Sequence, residues 1–476
     1  MTYEQLFDRA GRAARAFVDA GIERVTLVDV SSSALPIALF GSAWAGRPFV
    51  PLNYRLTAEE LRRLATEVAP SITICDATAL PKFFDIDGVD ALTRDDFFAL
   101  IDRTERSDAE WDMDPEGIAV LLYTSGTTGM PKAAVLRHKH LVSYIFMSVE
   151  FMGADEDEAT LISVPPYHVA GMAAILSSVY AGRRIVQLPA FNAADWVQTA
   201  RREGVTHAMV VPTMLARIVD YIETHDIGGI PTLRALSYGG GKMPLPVIEK
   251  ALDMMPNCAF VNAYGLTETS STVCILGPED HRTARAATDP EARKRLTSVG
   301  RPLPAIELSI RDDEGNEVPA GTRGEVWVRG EQVSGEYLGR GSQCNAEGWF
   351  PTKDGGYLDA DGYLFLEGRV DDIIIRGGEN MSPGEIEDVL VGHPAVADAA
   401  AIGIPDRQWG EKVVAVIVAK QGATVTGEEL RDWVTQHLRS SRSPEVIEFR
   451  AELPYNDMGK LLRRVLRHEL AHLGDG

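Results

Sequence analysis

Residues 124–132, Thr-Ser-Gly-Thr-Thr-Gly-Met-Pro-Lys, gather four hydroxyls, two glycines and one lysine one residue after the apolar run Ala119-Val120-Leu121-Leu122. Glycines let a backbone approach a ligand closely and turn successive N–H groups toward it. Hydroxyls and an ammonium add further donors, so the segment suits phosphate oxygens. An isolated Gly/Thr loop is more often a solvated turn. The spacing is also not that of the common P-loop, because Pro131 stands where its second glycine would fall, which disfavours kinase-like and GTPase-like chemistry.

Other chemistry-bearing residues each carry a plain alternative. Thr267-Glu268-Thr269, a carboxylate between two hydroxyls, taken alone reads as a helix N-cap. Gly239-Gly240-Gly241 brings a bare backbone near a ligand, or forms a Gly-rich turn. The Asp354 carboxylate can accept two hydrogen bonds. Lys460, in Asn-Asp-Met-Gly-Lys, sits on a glycine turn that can present it to a cleft. It is equally a surface lysine ahead of the basic Arg463, Arg464 and Arg467. Asp371-Asp372 reads as a solvated turn pair, and His168 as a core histidine or a site residue.

The elements that must position these residues follow from periodicity. Leu6, Ala10, Ala13, Ala14 and Phe17 recur at helical spacing. Short apolar runs at 24–30, 71–76, 118–125, 160–165, 184–189, 207–212 and 258–265 alternate with helical patterns, predicting a layered α/β fold with parallel pairing. From about Ala305, short strands separated by Gly- and Asp-rich turns predict a β-rich subdomain. A compact tail then reads strand, helix, strand, strand, helix, strand and helix, predicting a small α+β domain. The expected division is 1–370 and 371–476, with the boundary near Asp371.

The totals narrow the function. A chain of 476 residues predicts two or more domains. A formal net charge of −22 disfavours nucleic acid as a partner, because a polyanion is repelled at long range. No apolar run approaches the ~18 residues of a membrane span, and the N-terminus lacks the pattern of a secretion signal. The scattered Cys75, Cys258, Cys274 and Cys344 fit a reducing cytoplasm rather than a disulfide framework or zinc site.

Residues 124–132 resemble the phosphate loop of the adenylate-forming superfamily, which includes acyl-CoA synthetases, aryl-CoA ligases, peptide-synthetase adenylation domains and luciferases. Stretches at 165–171, 237–244, 262–269, 348–356, 368–387 and 453–464 match the same family in order, so the resemblance covers nearly the whole chain. It implies ATP, Mg²⁺ and CoA as cofactors and a small-molecule carboxylic acid as partner, with the small C-terminal domain mobile. It also implies that Thr124, Ser125, Gly126, Thr127, Thr128, Gly129 and Lys132 clasp the β- and γ-phosphates, that Glu268 holds Mg²⁺ and that Thr267 touches the α-phosphate. Gly239, Gly240, Gly241, Asn262, Ala263, Tyr264 and Gly265 would surround the adenine, with the Tyr264 ring stacked on it. Asp354 would take the ribose hydroxyls, supported by Arg369. Lys460 would bridge the carboxylate and the α-phosphate. Asp371 would be the hinge on which the small domain turns, bringing Arg376, Gly377 and Gly378 to a pantetheine channel.

The local sequence Tyr167-His168-Val169-Ala170-Gly171 carries no acid to meet a substrate ammonium, which disfavours an amino-acid substrate. The expected acyl-pocket walls are Tyr167, His168, Met172, Met209, Val210, Tyr238 and Gly239, mostly apolar, implying a hydrophobic acid. The likeness departs at Lys353, where the family tends to have glycine, and at Asn456, where it usually has threonine. Three readings stand: an acyl-CoA synthetase, an enzyme of one half-reaction only, and a nucleotide-binding protein without catalysis. Oligomeric state is not legible.

Overall fold

The computed structural model describes the chain except residues 112, 125–130, 378, 457–458, 460 and 475–476 and the side chains of Asp371 and Asn380. The N-terminal helix α1, Tyr3–Asp19, starts at Thr2, whose hydroxyl accepts from the Gln5 N–H while the Gln5 side chain caps back. Its buried stripe contains all five residues expected from spacing.

The chain divides into two units: Met1–Leu296 with Pro302–Glu307 and Arg329–Phe350, and Thr297–Arg301 with Leu308–Val328 and Pro351–Gly476. In the first unit, β1 (Arg24–Val28), β2 (Phe49–Pro51), β3 (Ser71–Cys75), β4 (Val89–Thr93) and β5 (Ile118–Thr124) pair in parallel in the order β5-β2-β1-β3-β4. The strand β6 (Lys132–Arg137) then pairs antiparallel with β5, and the short strand Glu336–Tyr337 lies against β6. A second sheet takes β7 (Ala159–Ile162), β8 (Arg184–Gln187), β9 (His207–Val210), β10 (Ala235–Gly239) and β11 (Ala259–Leu266) in parallel, order β8-β7-β9-β10-β11, with β12 (Ser271–Leu276) antiparallel to β11. One core joins the two sheets, with Val25, Leu27, Ile72, Ile74, Ile162, Met172 and Ile175 all buried in it.

The second unit holds, apart from the end residues Glu307, Arg329 and Phe350, a sheet of the strands Glu307–Arg311, Gly324–Arg329, Phe350–Leu358 and Leu364–Arg369, in that order. It also holds the α+β tail, whose long strands Val396–Asp406 and Gly410–Ala419 pair antiparallel over a core of Ile374, Ile386, Leu390, Val413 and Leu430. The α/β reading with its β-rich strands and small α+β tail therefore holds. Among the described residues no helix is long and apolar enough to cross a membrane.

Candidate active site

The polar segment after β5 joins the two arms of a hairpin. Thr124 of β5 stands opposite Lys132 of β6, and the Thr124 hydroxyl donates to the Lys132 carbonyl at 3.4 Å. The buried strand thus ends where the chain must reverse to enter β6. Ser125, Gly126, Thr127, Thr128 and Gly129 lie outside the described residues. The Lys132 ammonium stands 5.7 Å from the centre of the Tyr337 ring.

Thr267–Thr269 forms a single 3₁₀ turn between β11 and β12 and starts no helix, so the N-cap alternative falls away. The turn is held by Thr269, whose hydroxyl accepts from the Leu266 N–H at 2.9 Å. Gly265 has no alternative here: a Cβ would lie 1.8 Å from the Ser271 carbonyl oxygen of the returning strand. Glu268 is 9% exposed. Its carboxylate accepts the Tyr337 hydroxyl at 2.5 Å, and its carbonyl accepts the N–H groups of Ser334 and Gly335 at 2.9 and 3.0 Å.

Alternation along the second sheet sorts the residues expected around adenine and acyl group. In register, Val210, Tyr238 and Asn262 share one face, which is buried, while Met209, Ser237 and Val261 share the other, half-buried one. Tyr264 follows Asn262 onto the buried face, and Ala263 follows Val261. The expected acyl wall is therefore split. Tyr238 is fully buried, with its hydroxyl 2.8 Å from His281 Nε2, and burial raises its pKa above the ordinary phenol value. The Gly277 carbonyl lies 2.7 Å from His281 Nδ1 and can only accept, so Nδ1 carries the proton and Tyr238 donates to Nε2. Met172 is also core, 1% exposed. Gly239 packs so closely on β11 that a Cβ would meet the Ala263 carbonyl oxygen at 2.1 Å, so strand packing alone demands that glycine. Gly240 adopts φ +82°, and Gly241 is exposed.

Tyr167 and His168 leave the C-terminal end of β7, their rings 4.6 Å apart, with Tyr54 edge-on to Tyr167 at 5.6 Å. The chain runs from β7 outward to β8 and then back to β9 on the other side of β7. In open α/β sheets such a reversal of strand order is where ligands bind, beyond the carboxyl ends of the strands, and Tyr167 and His168 follow β7 at that end.

In the second unit, Asp354 on Phe350–Leu358 stands directly across from Arg369 on Leu364–Arg369. Arg369 Nη1 lies 3.0 Å from Asp354 Oδ1 and donates to the Thr352 carbonyl at 2.9 Å. Lys353 adopts φ +63°, the left-handed region that favours glycine, which gives a physical reason for glycine in the family. Its ammonium turns to Glu325, 3.5 Å away.

Asp371 lies in the 3₁₀ turn Val370–Asp372. Its neighbour Asp372 pairs with Arg467 at 2.9 Å and Arg463 at 3.7 Å, and Arg463 in turn bonds both oxygens of Glu387 at 2.6 and 2.7 Å. Arg376 pairs with Glu445, donates to the Ser441 carbonyl at 2.7 Å and stacks on Trp409. Gly377 has φ +60°, and its N–H donates to the Trp409 carbonyl at 2.6 Å. Lys460 and Gly378 lie outside the described residues. The approach to Lys460 is a turn in which the Asn456 carbonyl accepts the Gly459 N–H at 2.9 Å, flanked by the Tyr455–Leu461 bridge. The main-chain bond at Asn456 does not depend on which side chain stands there.

Sequence reasoning missed Tyr337. Its strand is two residues long, too short for periodicity to reveal, and Gly-Glu-Tyr-Leu-Gly reads as a turn.

The AMP-binding enzyme family matches residues 1–338, and the AMP-binding enzyme C-terminal domain matches residues 385–460. A fatty acid–[acyl-carrier-protein] ligase, ScoC, of Streptomyces coeruleorubidus is 33% identical, covering 98% of this chain and 91% of its own. A 2-succinylbenzoate–CoA ligase of Bacillus cereus is 32% identical over 98% of this chain and 93% of its own. Among solved structures, ATP-bound MatB of Rhodopseudomonas palustris superposes with a TM-score of 0.89 at 28% identity, covering 99% of this chain and 94% of its own. The o-succinylbenzoate CoA synthetase of Bacillus subtilis, in complex with its acyl-adenylate intermediate, gives 0.85 at 28%, covering 98% and 93%. The chain belongs to the AMP-binding enzyme family, the adenylate-forming group that its motifs resemble.

Proposed function

We propose that the protein is an AMP-forming carboxylic acid–CoA ligase acting on a hydrophobic acid. A carboxylate is a poor acyl donor because it has no viable leaving group. In the first half-reaction a carboxylate oxygen attacks the α-phosphorus of ATP, and pyrophosphate leaves. In the second, the CoA thiol loses its proton, its sulfur attacks the acyl carbon, and AMP leaves. The enzyme must hold two anions together and meet the charge that gathers at phosphorus.

The observation that carries this reading is the placement of Lys132 and Glu268 around one tyrosine, at the foot of the donor-rich hairpin. Among the described residues no group of three or more His, Cys, Asp or Glu gathers as a metal cage. A single buried carboxylate is the donor chemistry by which Mg²⁺ is held together with nucleotide phosphates. Glu268 would hold the ion, which when bound neutralises phosphate charge. Thr124, the 125–129 loop and Lys132 hold the β- and γ-phosphates, and Thr267 touches the α-phosphate. Gly239 to Gly241 and Asn262 to Gly265 surround the adenine. Asp354, steadied by Arg369, accepts the ribose hydroxyls. Tyr167, His168, Met209 and Gly239 border the acid. Lys460, a compact cation, steadies the α-phosphate as the carboxylate attacks. Residues 371–476 then turn at Asp371 so that Arg376, Gly377 and Gly378 meet the pantetheine arm.

The reading is tested on a panel of carboxylic acids by carboxylate-dependent ATP–pyrophosphate exchange with Mg²⁺, then by mass spectrometry for the acyl-CoA product. Exchange with a hydrophobic acid and thioester formation on free CoA supports the reading. A second reading, acyl transfer to a carrier protein, is favoured by the ScoC relative, and exchange without a CoA thioester would select it. Adenylate-to-CoA transfer without exchange would select an enzyme of the second half-reaction alone. The free cysteines suit a reducing compartment, the cytoplasm.

A further inference from the structure

We propose that Tyr337 is a positioning residue that sets the Glu268 carboxylate for Mg²⁺ and seats the Lys132 ammonium beside it. This rests on the reading of Glu268 as the metal carboxylate.

Tyr337 touches two motifs that are far apart in sequence. Its strand belongs to the first sheet, where it stands opposite Ala134 of β6. Its hydroxyl reaches the turn at the end of the second sheet and donates to Glu268 Oε1. Its ring face carries the Lys132 ammonium at 5.7 Å, within the range of a cation–π contact. A phenol O–H can only donate to a carboxylate, so the hydroxyl orients Glu268. With Oε1 engaged, Oε2 would be the oxygen left for the cation. A carboxylate so held is preorganised in the way that outer partners of metal ligands act, at a typical cost of 10–100-fold in metal affinity or activity when removed.

The surrounding segment is built to hold that tyrosine still. Gln332 Nε2 donates to the carbonyls of Thr269 and Thr272 at 3.0 and 2.7 Å. The N–H groups of Ser334 and Gly335 hold the Glu268 carbonyl, and the Ser334 hydroxyl donates to the Val135 carbonyl of β6. Arg137, at the end of β6, forks onto both oxygens of Glu336 at 2.8 and 2.9 Å. Residues 332–337 therefore staple the strand leaving the phosphate hairpin to the turn bearing Glu268.

The test measures binding of a nonhydrolysable ATP analogue by calorimetry, once as its Mg²⁺ complex and once metal-free with EDTA, in wild type, Tyr337→Phe, Tyr337→Leu and Glu268→Gln. Tyr337→Phe keeps the ring and loses the donor. It should weaken the Mg²⁺ complex about tenfold and leave the metal-free analogue unchanged. Tyr337→Leu, which also loses the ring, should weaken the metal-free analogue as well. If Tyr337→Phe binds both forms as wild type does while Glu268→Gln loses the Mg²⁺ complex, the positioning role is overturned and the Glu268 reading stands. If Glu268→Gln leaves the Mg²⁺ complex untouched, the Glu268 reading fails and the proposal falls with it. Equal loss of both forms in Tyr337→Phe reduces Tyr337 to a scaffold residue and overturns the proposal. Wild-type affinity for the metal-free analogue in Tyr337→Leu overturns the seating of Lys132.

Discussion

Arg369 and Asp354 stand opposite each other on paired strands, with Nη1 3.0 Å from Oδ1 and the same nitrogen donating to the Thr352 carbonyl. The arginine thus fixes the carboxylate against its own sheet. Asp354→Ala should raise the KM for ATP by about 10–100-fold, the loss of one or two charge-assisted hydrogen bonds at about 1–3 kcal/mol. Arg369→Ala should raise it less, and neither should move the KM for the acid. Steady-state kinetics with ATP and acid varied separately checks this, and an equal rise in both constants would refute a ribose role.

Lys460→Ala should reduce ATP–pyrophosphate exchange by at least about 100-fold, in line with the loss of one transition-state charge contact. Conversion of supplied acyl-AMP to acyl-CoA should stay within about threefold of wild type, because that step forms no bond to phosphorus. Loss of both reactions together, with normal unfolding behaviour, would show that the lysine serves both.

Lys353 spends backbone energy. A left-handed non-glycine residue costs roughly 1–2 kcal/mol, and glycine returns about 0.5–1 kcal/mol of that through the unfolded chain. The half-exposed pair with Glu325 adds little. Lys353→Gly should therefore stabilise the protein by about 0.5 kcal/mol in urea unfolding. A loss of more than about 1 kcal/mol would mean that the Glu325 pair outweighs the strain.

His140, 5% exposed on the helix His138–Ser148 that follows β6, accepts the Arg137 N–H at Nδ1, 3.2 Å away. Burial, with Lys139 and Arg137 nearby, depresses its pKa from 6.5 to about 4. The folded state keeps the ring neutral while the unfolded chain takes up a proton. This stability is fully present above pH 6.5 and drains away as pH falls toward 4. His140→Gln keeps an acceptor and does not titrate. The stability difference between wild type and variant should change by about 1–2 kcal/mol between pH 7 and pH 4, after allowing for solvent screening. A pH-independent difference would show that the native ring protonates freely.

Strands were legible as a continuous apolar run at Ile118–Thr124 and as alternation at Ala259–Leu266, while Lys132–Arg137 and Ser271–Leu276 were not expected. The tail followed the expected order from Ile374 to Glu469 apart from one further short strand, Glu379–Met381. Three things were not legible. Val210 and Tyr238 sit beside Met209 and Gly239 in sequence, but only the pairing register tells which face each takes. Gly239 and Gly265 look like ligand-cradling glycines, yet neighbouring carbonyl oxygens already forbid a side chain at both. Tyr337 acts through partners 69 and more residues away, beyond any local pattern.

The pleat of β9 and β10 has a practical corollary for anyone wishing to retune this catalyst. Libraries aimed at Met209, Ser237 and Ala263 explore the half-buried side of the sheet rather than its buried face. Randomising Val210 or Tyr238 instead perturbs the interior and the His281 hydrogen bond, so variants found there would trade selectivity against yield of folded protein.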